Sequence, residues 1–378
     1  MTPVELSRTV LRAVRRAVDD GELSVVVPPQ ALVTVPGPGG CGDYATNIAL
    51  QLARPAGQSP QRVAEVLRPY LLGAAGVSDV VVTGPGFLNI SLRAAQGSVA
   101  LVSEILRSQS QSQSQSRSRS QSRSQSRSQG RSQGRSGVRF GYVERPTGQV
   151  VQLHAPHEVR AVVVMDVVAR VLRSQGALVR TSCVARPERE WTEVLGVEVD
   201  AYGTPDAPAP LEVNVRPVPA APADPVALGR DAGRWALLHP AAHDRPRVTS
   251  EYLSQREGNP LFRVRYAHAR TRALSRNAAD LGFDAHPGVV QDVRALEIAL
   301  ADHPRILAAT ATQHAPDRLA RHLLAVADAV TPFLPTVLPR GEEKPSAAHR
   351  ARLALAEAAG TVLAGGLSLL GIDAPDHL

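Results

Sequence analysis

Lysine is almost missing from this chain. Of 42 basic residues in 378, only Lys344 is a lysine and the other 41 are arginine. Chemistry that needs a compact ammonium before position 344 is excluded, because arginine's planar fork is not an equivalent group. The bias follows the base composition of the gene as well as chemistry, so arginine abundance alone is weak evidence. Cysteine is also scarce. Cys41 and Cys183 stand far apart without paired neighbours, which excludes a cysteine-built zinc site or disulfide framework and makes a reducing cytoplasm the expected setting. Aromatic residues make up 3% of the chain, so stacking platforms are few. The most apolar window, near 161–172, is broken by Asp166 and Arg170, and no membrane span is expected. Residues 1–20 contain Glu5, Asp19 and Asp20 and no long apolar run, so a signal peptide is not expected.

What is present is a chain of two or three domains' length with 43% apolar residues and a net charge of +7. That balance points to an acidic partner, of which nucleic acid is the commonest. One stretch concentrates the charge. Asn259 can cap a helix whose first residue is Pro260, where a missing N–H costs nothing. At about 100° per residue, Phe262, Tyr266, Ala269 and Ala273 share one side and Val264, Ala267, Thr271 and Leu274 another. Arg265, Arg272 and Arg276 form one stripe and Arg263 and Arg270 a second, with no acid between 259 and 276. Buried arginines need partners, and none lies within the helix. Arginine stripes beside Tyr266 and His268 suit a polyanion with exposed bases, as in an RNA loop. The alternative is a solvated helix whose arginines meet Glu251 or Glu257.

Asn259-Pro260 followed by Tyr266-Ala267-His268-Ala269-Arg270 resembles the opening of the anticodon-binding (DALR) helical domain of arginyl-tRNA synthetases. Leu369-Leu370-Gly371-Ile372-Asp373-Ala374-Pro375 resembles that domain's closing segment. The resemblance implies anticodon contacts at Asn259, Arg263, Tyr266, His268 and Arg270. Leu228-Gly229-Arg230-Asp231-Ala232-Gly233-Arg234-Trp235 resembles the segment joining the catalytic and helical domains of the same family. Helices expected over 291–309, 316–334 and 346–370, punctuated by Pro304, Pro332, Pro335 and Gly341, complete a bundle of about five helices over 229–378. His239, His314 and His322 belong to no motif and read as ordinary surface or core residues.

Residues 1–107 read as a compact α/β unit. A capping-box-like start at Thr2 precedes Leu6, Val10, Leu11, Val14 and Val18 at helical spacing. Ser59-Pro60 opens another helix, and strands over 79–83 and 87–92 are joined by Gly84-Pro85-Gly86. Gly42-Asp43-Tyr44-Ala45-Thr46-Asn47 and Gly84-Pro85-Gly86-Phe87-Leu88-Asn89-Ile90 resemble the amino-terminal added domain of arginyl-tRNA synthetases. In that family the domain meets the D-arm at the tRNA elbow. The resemblance implies that Phe87 and Asn89 stack on and hydrogen-bond a base, with Asn47 close by. The residues alone also fit a hairpin whose Phe87 is core.

Residues 108–137 alternate serine with glutamine and then with arginine, and hold no apolar residue. Such a stretch has nothing to bury and is expected to be disordered. Its six arginines, at 117, 119, 123, 127, 131 and 135, make a basic tether able to touch phosphates, or a neutral linker from a slipped repeat.

Residues 138–228 resemble the start of a class I synthetase catalytic domain, where a strand leads to a His-x-Gly-His loop and a helix. Here the loop is His154-Ala155-Pro156-His157. The family glycine lets the backbone approach the adenine of ATP, and Pro156 lacks both that freedom and the N–H. The spacing is also longer than the family's between Gly148 and His154 and between His157 and Asp166. His154 and His157 therefore read as relics rather than catalysts. Val162, Val163, Val167, Val168, Val171 and Leu172 keep an apolar helix face. The lysine-bearing loop that neutralises pyrophosphate has no counterpart near Glu212–Arg216, and Arg216 is a poor substitute. About 70 residues separate His157 from Gly229, and each βαβ crossover takes roughly 30, so about two further strands fit where the family has a five-stranded parallel sheet.

The fold class expected is α/β and all-α multidomain. An amino-terminal α/β domain (1–107), a linker (108–137), a truncated, degenerate Rossmann-like class I remnant (138–228) and a helical anticodon-binding bundle (229–378) follow in order. The expected function is tRNA binding, with arginine tRNA as partner, possession of a partner enzyme left open, and no aminoacylation. No metal and no cofactor are expected, ATP being the cofactor if the remnant works. The alternatives are a functional ATP-dependent arginine–tRNA ligase and a protein-binding scaffold.

Overall fold

The computed structural model describes residues 3–34, 36–37, 40–92, 98–110, 139–143, 145–203, 212–220 and 223–378. They divide into two compact units, Met1–Leu101 and Val102–Leu378.

In the first unit, α1 (Pro3–Asp19), α2 (Ile48–Ala56) and α3 (Pro60–Leu72) pack on one face of an antiparallel sheet. Its strands are β1 (Val33–Thr34), β2 (Tyr44–Thr46), β3 (Val77–Thr83) and β4 (Phe87–Leu92), in the order β1-β2-β4-β3. Leu6, Val10 and Val14 of α1 are fully buried, each contributing about 1.5–3 kcal/mol. The Ser59 hydroxyl accepts the Arg62 amide at 3.2 Å and starts α3. The cap expected at Thr2 lies outside the described residues. Along β4, Leu88 and Ile90 face the helices and alternate with Phe87 and Asn89 on the opposite side. Gly86, at φ +128°, turns the hairpin where a Cβ would sit 2.7 Å from the Pro60 carbonyl.

Residues 98–110 are helical (α4). The tract expected to be disordered from Ser108 thus begins with helical residues at 108–110, carried on by the helix before them. Its remainder, 111–137, lies outside the described residues.

The second unit holds a parallel sheet of β5 (Val150–Ala155), β6 (Leu178–Cys183), β7 (Ala201–Tyr202) and β8 (Glu212–Asn214), in the order β7-β6-β5-β8. Helix α5 (Val159–Ser174) makes the β5-to-β6 crossover, and α6 (Arg189–Glu193) follows β6. Three strands therefore join β5 rather than two, because β7 and β8 are very short. The apolar face expected on α5 is an understatement: Arg160, Asp166 and Ser174 are buried along with the valines. A helix buried all round needs its polar groups satisfied internally.

Five α-helices complete this unit: α7 (Gly229–Leu238), α8 (Pro260–Asp280), α9 (Arg294–Gln313), α10 (Pro316–Val330) and α11 (Ala347–Leu370). Pro304 does not punctuate helices as expected but sits inside α9, where buried Leu300 and Leu307 hold the helix through the lost hydrogen bond. The sequence from 138 to 378, read as two domains, shares this one compact unit. Helix α11, not the 161–172 window, is long and apolar enough to cross a membrane, yet most of it is buried against α8 and α10.

Candidate nucleic-acid interface

Asn259 caps α8: its Oδ1 accepts the Leu261 amide at 3.0 Å, and its Nδ2 donates to the Tyr252 and Ser254 carbonyls at 2.9 and 2.8 Å. Both amide protons are engaged and the residue is buried, so Asn259 shapes the helix entry and has no free group for a base. His268 is buried too, its Nδ1 donating to the Pro375 carbonyl at 3.0 Å. Burial lowers its pKa, so it fastens the closing segment as a neutral ring and is not a surface contact.

The arginine stripes find the partners that the helix itself does not supply. Arg263 pairs with Asp328, Arg265 with Asp231 at 3.3 Å, and Arg272 with Asp376 at 2.8 Å. Arg276 donates to the Asp376 carbonyl at 3.2 Å. None of these acids is Glu251 or Glu257; tertiary folding brings them from distant sequence. Arg272's hydrogen bond holds the Asp376 carboxyl below its ordinary pKa. Arg270 is exposed, and no ion pair or hydrogen bond engages it among the described residues. Tyr266, one turn earlier, is 38% exposed and stacks on Phe262 with centroids 5.5 Å apart. Of the five bundle residues expected in the site, Tyr266 and Arg270 present free chemistry on one strip.

On the sheet of the first unit, Phe87 is 40% exposed at the start of β4. Thr46 pairs with Leu88 in register, so Asn47, next along, comes beside Phe87. Asn47 is half-buried and its Oδ1 accepts from Gln51 Nε2 at 3.1 Å. Asn89 departs from expectation. It is 2% exposed, and its Nδ2 donates to Thr83 Oγ1 at 2.6 Å and the Val81 carbonyl at 3.4 Å. It braces the hairpin under Phe87, whose ring is the accessible surface.

The parallel sheet places the histidine loop at a diagnostic point. In strand order from the first, β5 to β8 read 3-2-1-4, and ligands of such sheets bind at the carboxyl ends where the order reverses. That point lies between His154 and its register partner Asn214. There a nucleotide phosphate would meet the amino terminus of α5. The position is already filled: Glu158 is the N-cap, its carboxylate accepting the Arg160 and Ala161 amides at 3.0 and 2.8 Å. An anion held by the chain repels a second one from the same helix end. Ser182 Oγ donates to the Leu153 carbonyl at 3.2 Å, which leaves it to accept from His154 Nδ1 at 2.9 Å. His157 Nε2 donates to the Arg186 carbonyl at 3.0 Å while its ring lies 4.9 Å from that of Trp191. Both histidines are thus engaged with the chain's own groups.

Two residues of this region carry no weight in the sequence reading yet decide its chemistry. Glu158 is one; an acid directly before an apolar periodic run is a cap signal. Arg160 is the other. Its guanidinium is buried, with no carboxylate bonded to it, donating to the Leu237, Val218, Asp244, Pro240 and Ala241 carbonyls. Burial lowers its pKa, opposed by the charges of Glu158, Asp244 and Asp317. Sequence gives no sign of this, because the carbonyls belong to segments 58 or more residues away. Cavities of about 290, 260 and 340 Å³ occur, none lined by His154 or His157. Among the described residues, no group of three or more His, Cys, Asp or Glu side chains is placed to hold a metal.

Comparison with known proteins agrees with this layout. Residues 5–92 match the model of the arginyl tRNA synthetase N terminal domain, and residues 264–378 that of the DALR anticodon binding domain. An arginine–tRNA ligase of Renibacterium salmoninarum is 37% identical over 193 residues, covering 47% of this chain and 30% of the relative. One of Clavibacter sepedonicus is 38% identical over 164 residues, covering 40% and 29%. This chain thus spans less than a third of the length of the curated relatives it matches. The arginyl-tRNA synthetase structure of Thermus thermophilus superposes with a TM-score of 0.65 at 15% identity, over 100% of both chains. That of Plasmodium falciparum superposes with a TM-score of 0.68 at 8% identity, over 100% of this chain and 99% of the other. With both matched in order, the chain carries the N-terminal and DALR anticodon-binding domains of arginyl-tRNA synthetases on a shared fold.

Proposed function

We propose that this chain binds arginine tRNA in the cytoplasm without charging it. The observation that carries the proposal is the Glu158 carboxylate seated on the first amides of α5, where the family's fold would receive a phosphate. Pro156 in the loop and the lack of any lysine before Lys344 point the same way. Recognition then rests on aromatic stacking at Phe87 and Tyr266 and on phosphate contact at Arg270, with no bond made or broken. No cofactor takes part.

Two assays on the full chain test this. In filter binding, arginine tRNA should bind more tightly than a scrambled RNA of equal length, and Tyr266→Ala with Phe87→Ala should narrow the gap. Equal affinity for both RNAs refutes base recognition and favours a scaffold. In an aminoacylation assay with ATP, arginine and tRNA, no turnover is expected. Turnover abolished by His157→Ala would make the chain a working ligase.

A further inference from the structure

On α8, Arg263, Arg265 and Arg272 are paired with acids from elsewhere in the chain; on α1, no arginine has such a pair among the described residues. Arg8, Arg12, Arg15 and Arg16 lie on the exposed side of α1, opposite the buried Leu6, Val10 and Val14. No ion pair engages any of the four among the described residues, and Arg12 donates only to Thr9 Oγ1, at 3.0 Å. The stripe climbs the helix by about 6 Å for every four residues. Beside it, Arg12, Arg16, Thr9 and Tyr70 line a cavity of about 340 Å³. Asp20, directly after α1, accepts a hydrogen bond from the Tyr70 hydroxyl at 2.8 Å.

We infer that the exposed face of α1 is a second RNA site, reading phosphates and not bases. It goes beyond the stacking surface at Phe87, from which it is separated by the whole thickness of the unit: α1 lies on the helical layer, and Phe87 on the far side of the sheet. Four unpaired forks along one ridge match a run of phosphates, since each fork can hold two phosphate oxygens. The same ridge is poorly made for a protein partner. None of the chain's exposed large apolar residues belongs to α1, and a protein interface needs an apolar or aromatic anchor at its centre. With nothing there to tell one base from another, the site adds affinity that is strong at low salt and blind to sequence.

The probe is a mixed-sequence RNA duplex, so the result does not depend on the chain recognising arginine tRNA. Filter binding of the full chain would be measured from 50 to 200 mM KCl, roughly the range over which phosphate contacts lose most of their strength. Arg8→Gln, Arg12→Gln and Arg16→Gln together should lower the slope of log K against log salt by about 2.7, at about 0.9 per phosphate contact. A charge-matched control, Arg62→Gln, Arg180→Gln and Arg318→Gln, should keep a slope close to that of the native chain. Helical content and melting temperature, measured on each variant, separate lost binding from lost fold. The inference is overturned if the α1 variant, folded, keeps the native slope, or if the control loses as much. It is also overturned if polyglutamate of equal charge displaces the duplex as well as unlabelled duplex does, which would make the face an acidic-protein site. A chain that binds the duplex through α1 yet holds arginine tRNA no more tightly than a scrambled RNA would sink the proposed function and leave this inference standing.

Discussion

Replacing Asp166, on the crossover helix α5, by alanine should strongly destabilise the second unit. Arg234 is fully buried, and its Nη2 lies 2.6 Å from Asp166 Oδ2. The same guanidinium donates through Nε to the Leu370 carbonyl at 2.7 Å and through Nη1 to the Leu195 carbonyl at 2.9 Å. One arginine on α7 thereby ties together the crossover helix of the sheet, the loop after α6 and the end of α11. Burial pulls its pKa down, and Asp166 is what opposes that. Removing the carboxylate leaves a buried, uncompensated charge, which costs about 3–5 kcal/mol. At roughly 2–4 °C per kcal/mol for domains of about this size, the melting temperature should fall by roughly 6–20 °C. Arg170, which also reaches Asp166 at 3.1 Å, is partly exposed and adds little to the loss. Differential scanning calorimetry of the full chain reads the effect. The double variant Asp166→Leu with Arg234→Met removes both charges and should recover most of the loss, because a buried pair is often no more stable than an apolar one. A single variant melting within about 2 °C of the native chain, which is less than about 1 kcal/mol, would refute the reasoning. So would a double variant no better than the single one.

Two further changes test other joints. Gly371 ends α11 at φ +72°, and a Cβ there would sit 2.5 Å from Arg234 Cζ, so Gly371→Ala should destabilise by about 1–3 kcal/mol and couple non-additively to Asp166→Ala in a double-mutant cycle. Stability should also fall in mild acid because of a stacked, buried pair, His303 and His322, whose ring centroids are 5.3 Å apart. Burial lowers the His322 pKa to about 4, with Asp302 working against it, and takes His303 well below its ordinary value of 6.5. The unfolded chain takes up protons below 6.5 that the fold refuses, so this stability is whole above pH 6.5 and lost as pH falls toward 4. At about 1.4 kcal/mol per pH unit the His322 loss approaches roughly 3 kcal/mol. Urea melts at pH 7, 6 and 5 should show it, His322→Phe should flatten it, and a rise in stability on acidification would contradict it.

What the sequence disclosed depended on how local the cause was. Ser59, Asn259 and the Gly84–Gly86 turn act within a few residues, and each stands where local chemistry put it. The bundle's helices were legible from apolar spacing, though Pro304 was misplaced because packing overrode its local preference. The candidate site was legible in its residue types but not in their availability. Whether Arg263 or Arg270 is free depends on Asp328, which tertiary folding brings to the former. Whether Asn89 or Phe87 is reachable depends on alternation along β4 and on Thr83 across the hairpin. Such pairings link residues whose sequence separation carries no periodic signal.

The histidine loop joins these levels. The β7-β6-β5-β8 order and the α5 crossover rest on buried valines and leucines, which are indifferent to what the strand ends hold. The strand ends themselves are bonded to the chain's own groups. Glu158 caps α5, His154 leans on Ser182, His157 on Arg186 and Trp191, and Arg160 gathers five carbonyls from the segments around α7. Several of those bonds also fasten the sheet to itself or to the segments around α7. A ligand entering there would have to displace contacts that now hold the fold. The contacts that engage the loop's side chains are therefore also contacts that hold this edge of the sheet to the rest of the unit.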